Sequence, residues 1–74
     1  MSLLLPKQVA CVVRGVRAVD IHGDRYLDVS VETEETPPSA LSGRVPASEC
    51  PSDLAVGERV SAKFVMGVMV RVKR

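Results

Sequence analysis

Glu58–Arg74, ERVSAKFVMGVMVRVKR, is the stretch whose reading decides the fold. Valine, alanine, phenylalanine and methionine alternate there with serine, arginine and lysine, the period of two expected of a half-buried strand. Val60, Ala62, Phe64 and Met66 share one face, and Arg59, Ser61, Lys63 and Val65 the other. Gly67 interrupts. Beyond it Val68, Val70 and Val72 oppose Met69, Arg71 and Lys73, so Gly67 is either a tight hairpin turn or a kink in one long strand. After Glu58 the stretch carries Arg59, Lys63, Arg71, Lys73 and Arg74 and no acid.

The preceding segments read as strands and turns as well. SECPSDLAVG, residues 48–57, is a turn-rich connection with room for one helical turn. Ser48 or Ser52 is placed to cap that turn, and Leu54 and Val56 to close the bottom of a core. Leu41 to Ala47 makes a short strand with Leu41, Gly43 and Val45 inward, and EETPPSA, residues 34–40, is an exposed loop because its prolines cannot donate to a ladder. Arg25 to Thr33 has the cleanest alternation: Leu27, Val29, Val31 and Thr33 on one side, Tyr26, Asp28, Ser30 and Glu32 on the other. That is a half-buried antiparallel pattern. Gly23-Asp24 reads as a two-residue hairpin loop of type II′, with glycine taking the positive φ. Lys7 to His22 is a long first strand, in which strict alternation turns Arg17 inward beside Val19 and Ile21. A bulge at Gly15 relieves this. Residues 1–6 form an apolar tail, which reads equally as a frayed end or as Leu3, Leu4 and Leu5 covering a sheet edge or a neighbouring subunit.

The chain of 74 residues is one domain near the lower size limit for a self-supporting core. Tyr26 and Phe64 are its only aromatics, so Val, Leu, Ile, Ala and Met must fill the interior, and dimerisation or a bound partner is a natural source of further burial. Net charge is +1 but unevenly spread. Residues 1–19 hold Lys7, Arg14 and Arg17 without an acid; residues 20–35 hold Asp20, Asp24, Asp28, Glu32, Glu34 and Glu35 against Arg25 alone. The chain is basic at both ends and acidic in the middle. Cys11 and Cys50 read as reduced thiols of a cytoplasmic protein. Nothing resembles a secretory signal or a membrane span.

A strand, a GD-type hairpin, an alternating strand, a loop, a short strand, a connector, then LAVGERVSAKF and VMVRV: over residues 7–74 this order resembles an OB-fold. The expected architecture is an all-β, small antiparallel OB-like barrel of about five strands, with an SH3-like barrel as the competing one. Bacterial translation initiation factor one is similar in size and in its basic end, but its loop between the last two strands is longer. Molybdate-binding MOP domains share a phrase like VGERV before an apolar strand, but their SARN-type motif is missing here.

Catalysis finds little support. His22 is the single histidine and borders a turn, where a solvated role is the simplest. One histidine and two separated cysteines cannot supply the ligands of a zinc site, and no cofactor motif occurs. The expectation is a non-enzymatic binding module. The OB resemblance implies single-stranded nucleic acid, DNA or RNA, as its ligand. The contacts would come from Arg59, Lys63, Arg71, Lys73 and Arg74, with Arg14, Arg17 and Arg44 nearby and Tyr26 as the one aromatic. Asp28 and Glu32 on the outer face of the second strand oppose phosphate. The alternatives are a protein-interaction or homodimer surface centred on Val65 and Met69 inside a basic rim, and oxyanion binding of the MOP kind.

Overall fold

Two tight turns, each with both central residues at positive φ, set the course of the chain: His22-Gly23 at 51° and 84°, and Met66-Gly67 at 53° and 81°. This is the type I′ pattern, whose twist matches that of the strands it joins. The computed structural model describes residues 6–74, and the suggested covering role of Leu3, Leu4 and Leu5 lies outside the described residues. Five strands follow: β1 (Lys7–Ile21), β2 (Asp24–Thr33), β3 (Ala40–Pro46), β4 (Arg59–Val65) and β5 (Val68–Lys73), with a single 3-10 turn at Ala47–Glu49. Gly67 therefore turns the chain back rather than bending one strand. The first hairpin loop lies one residue earlier than Gly23-Asp24, because Asp24 pairs with Ile21 as the first rung of the ladder.

All the strands join one antiparallel sheet in the order β3-β2-β1-β4-β5. β1 serves both halves, pairing with β4 over Lys7–Val12 and with β2 over Cys11–Ile21. Its bulge falls between Val13 and Gly15, where Arg14 has no partner in the ladder. The extra residue resets the alternation. Val16 then packs against the core and Arg17 is exposed, as a bulge in this region requires. β3 and β5 run in the same direction and meet along a seam that no backbone ladder bridges, so the barrel-like sheet stays open there. Gly43 makes that approach possible: a Cβ built on it would lie 2.7 Å from the Cβ of Met69.

The core consists of Cys11, Val13, Val29, Val31, Val45, Val60, Ala62, Met69 and Val72, with Leu27, Leu41, Leu54 and Phe64 packed around it. No aromatic ring is fully buried. Met69 is 1% exposed, contrary to its expected outward position, and Val68 is 59% exposed rather than inward. The cause is a second bulge. Lys63 faces Arg71 and Phe64 faces Met69, which leaves Val70 unopposed and shifts the parity of β5 by one.

The connector between β3 and β4 also departs from expectation in two details. Its 3-10 turn starts after Pro46 without a side-chain cap, so neither Ser48 nor Ser52 caps it. Leu54 reaches the core, but Val56 is 63% exposed. Gly57, at φ 93°, carries the chain into β4; its N–H donates to the Val13 carbonyl at 2.8 Å, and the Val13 N–H donates to the Glu58 carbonyl at 2.8 Å. The β1 bulge is thereby held from outside the regular ladder. Among the described residues no helix is long and apolar enough to cross a membrane.

Candidate nucleic-acid interface

The β4–β5 hairpin gathers part of the expected basic surface. Cross-strand pairing sets Lys63 opposite Arg71 and Ser61 opposite Lys73, while Gln8 and Ala10 of β1 flank Lys63 and Ser61 on the other side. Side chains at directly opposed positions share a face of the sheet. Lys63, Arg71 and Lys73 therefore stand together, surrounded by neutral Gln8 and Ser61. Among the described residues, neither Lys63 nor Lys73 has a carboxylate within ion-pair distance, whereas Arg71 donates to Glu49 at 2.6 Å.

Arg17, Tyr26 and Arg44 lie in a second group, on the outer face of β1–β3. Arg17 is opposite Asp28, which in turn is opposite Arg44; one step along, Tyr26 sits between Val19 and Pro46. Arg44 grips Asp28 with two hydrogen bonds, at 2.8 and 3.2 Å. That guanidinium, with a smaller contribution from Arg17, holds the Asp28 carboxyl below the usual range. Arg17 has no ion-pair partner among the described residues. Next to this row Gly15, Ser30 and Ser42 make a shallow floor of small residues. Tyr26 is half-buried, so only part of its ring is open to stacking.

The remaining expected cations are engaged elsewhere. Arg14, on the β1 bulge, donates to Glu32 at 3.1 Å. Arg59 grips Glu34 through two bonds, at 2.7 and 3.1 Å. Arg74 turns back from the end of β5 to Asp53, at 2.6 Å, and to Glu58. Its hydrogen bonds lower the carboxyls of both Asp53 and Glu58, and Glu58 also accepts the Ala55 N–H at 3.0 Å. The nine expected residues therefore do not form one patch. They divide into the β4–β5 group, the β1–β3 group, and a belt of Arg14, Arg59 and Arg74 in ion pairs. Asp28 and Glu32 are also less hostile to phosphate than their charges suggest, since each already faces an arginine.

The expected apolar centre keeps Val65 and loses Met69. Val65 is half-buried and opposite Val68 at the turn end of the hairpin, where Met66 is 66% exposed. Val65, Met66 and Val68 form the apolar tip next to Lys63. Val68 is not legible as a surface residue in sequence, because the bulge at Val70 that turns it out leaves no mark in the pattern; Met66 is exposed because it lies in the turn.

Burial raises the thiols of Cys11 and Cys50, which disfavours the nucleophilic thiolate. Among the described residues no three His, Cys, Asp or Glu side chains are gathered as a metal site. No family model, no curated protein and no solved structure matches the chain.

Proposed function

We propose that the protein is a non-enzymatic binding module for single-stranded nucleic acid, contacting phosphates through the outer face of the β4–β5 hairpin. One observation carries this reading: the turn at Met66-Gly67 and the Lys63–Arg71 pairing put Lys63, Arg71 and Lys73 on one sheet face with no acid in either strand. Like charges directly across a ladder repel one another and weaken it. A polyanion laid across the hairpin relieves that repulsion and releases its own counterions. Gln8 and Ser61 supply neutral hydrogen-bonding groups beside the cations. Arg17, Arg44 and Tyr26 give a second contact area for a strand long enough to pass around β1, and a base stacked on the open part of Tyr26 adds ~1–3 kcal/mol.

The test is binding of a fluorescein-labelled oligothymidine by K63A/K73A, with Arg25→Ala as the control. Arg25 is exposed on the far hairpin and bonded to Asp20 at 3.2 Å. The double variant is expected to bind at least about tenfold more weakly at low salt, and the control within about twofold of the parent. Equal losses in both proteins, or none in either, contradict the assignment.

The apolar tip favours a second reading, contact with a protein partner. Val65, Met66 and Val68 cover too little area for a stable interface of about 800 Å² per partner. They suit a contact that adds to the basic face. Sedimentation of the isolated protein separates the two readings: a tight oligomer disrupted by Arg71→Glu supports the interaction reading.

A further inference from the structure

We infer that the connector between β3 and β4 is a built-in competitor for the basic face, its carboxylates occupying arginines of the β5 end that would otherwise reach phosphate. The inference rests on the nucleic-acid reading above and adds a regulation to it. Glu49, Asp53 and Glu58 all belong to the 12-residue connector or its exit, and every one of them bonds an arginine of the β5 end. Glu49 takes Arg71, while Asp53 and Glu58 together take Arg74. Asp20, Asp28, Glu32 and Glu34 also pair with arginines, but with Arg25, Arg44, Arg14 and Arg59 rather than with the β5 end, while Asp24 and Glu35 are exposed and, among the described residues, have no arginine or lysine within ion-pair distance.

These contacts are of the kind that a phosphate can displace. The paired side chains are partly or largely exposed, so solvent and salt screen them. The geometry is that of a guanidinium donating to a carboxylate, which a phosphate oxygen reproduces with no change in the arginine's own shape. The connector itself is held loosely. Apart from Leu54 and Cys50 at the core margin, its anchors are the Gly57 and Glu58 bonds to Val13 at one end and the uncapped 3-10 turn at the other. In the free protein the acids hold Arg71 and Arg74 toward the connector. When a strand binds, Lys63 and Lys73 make the first contacts, and Arg71 and Arg74 then exchange carboxylate for phosphate, leaving the connector less tied down.

The experiment compares the parent, the connector variant E49Q/D53N and the control D24N/E35Q for binding to labelled oligothymidine over a series of salt concentrations. Both variants remove two negative charges, so a plain net-charge effect appears equally in each. Glu58 is left intact because it also accepts the Ala55 N–H. The connector variant is expected to bind about threefold or more tightly than the control at low salt. Its slope of log K against log salt should match that of the control, because Arg71 reaches phosphate in both complexes and Glu58 is still there to hold Arg74 in the free protein. Equal affinities for the two variants, or weaker binding by the connector variant, overturn the inference while leaving the function in place. If none of the three proteins binds at low salt, the function fails and the inference with it. Hydrogen exchange of the parent gives a measure independent of substitution. Saturating oligothymidine should lower protection across residues 48–58 while raising it in β4 and β5; connector protection that stays level or rises overturns the inference.

Discussion

At the scale of single residues, the most consequential pair is Gly43 and Met69. Gly43 reads in the sequence as one inward position of a short strand, which is correct. What it permits is not readable there, because the approach of β5 depends on a contact between segments 26 residues apart in the chain. A Cβ at Gly43 would meet the Cβ of Met69 at 2.7 Å, so the seam must open or β5 must shift. Gly43→Ala is expected to destabilise by ~1–3 kcal/mol, as overpacking of a close-packed core does. Adding Met69→Gly, which removes that Cβ, should recover part of that loss, so the double variant is more stable than the sum of the two single effects. Urea unfolding of the four proteins measures it, and strict additivity contradicts the seam contact. A second residue-level expectation concerns Arg74, whose hydrogen bonds hold the carboxyls of Asp53 and Glu58 below their ordinary values. A carboxyl lowered on folding stabilises above its unfolded pKa of ~4 and stops doing so as pH falls through its folded value. Arg74→Ala should therefore lower the melting temperature at neutral pH, and the gap from the parent should close as the pH is taken from 5 to 2. A gap that is constant or widens in acid contradicts the pairing.

At the scale of elements, the hairpins show which parts of the fold are legible and which are not. Alternation over Arg25 to Thr33 and over Arg59 to Phe64 assigns the faces of β2 and β4 correctly, because each stretch runs through the sheet with one side buried. β5 is misread. Its pattern of valines points Val68 and Val70 inward, but the bulge at Val70 gives the inward place to Met69. A bulge inserts one residue without requiring any special side chain, so nothing in Val68–Lys73 announces it. The first turn is read one residue late, and the second is left open between a hairpin turn and a kink. Histidine and methionine are poor choices for positive φ, yet His22 and Met66 occupy the first central position of their turns, held there by the ladders on either side. This leaves room for improvement. Met66→Asn should stabilise by ~0.5–1 kcal/mol, since asparagine tolerates the left-handed region better, and raise the melting temperature by about 2–8 °C. Gly67→Ala, at φ 81°, should destabilise by ~1 kcal/mol or more. Thermal unfolding of both checks the turn; a stabilising Gly67→Ala contradicts it.

At the scale of the whole molecule, an uneven charge sequence becomes a surface laced with arginine–carboxylate pairs. The segregation of basic ends and acidic middle, plain in the sequence, suggests one basic and one acidic side. Folding instead interleaves them. β2 lies between β1 and β3, so the acids Asp28 and Glu32 meet Arg44 and Arg14, and the loop after β2 brings Glu34 to Arg59. Which acid neutralises which arginine depends on register, and register depends on the two bulges. The part of the basic surface that escapes pairing is small, and on the β4–β5 face it is Lys63 and Lys73.

The central claim is that this residual basic face holds a nucleic-acid strand by its phosphates. The most direct test is titration of a labelled single-stranded oligonucleotide with the full chain at about 20, 60 and 200 mM salt. The account predicts saturable binding at the lowest salt, with log K falling linearly against log salt at a slope of about −2 to −3, as expected for three or four phosphate contacts on a single strand. Binding that is absent at about 20 mM salt, or that is indifferent to salt across the series, would contradict it.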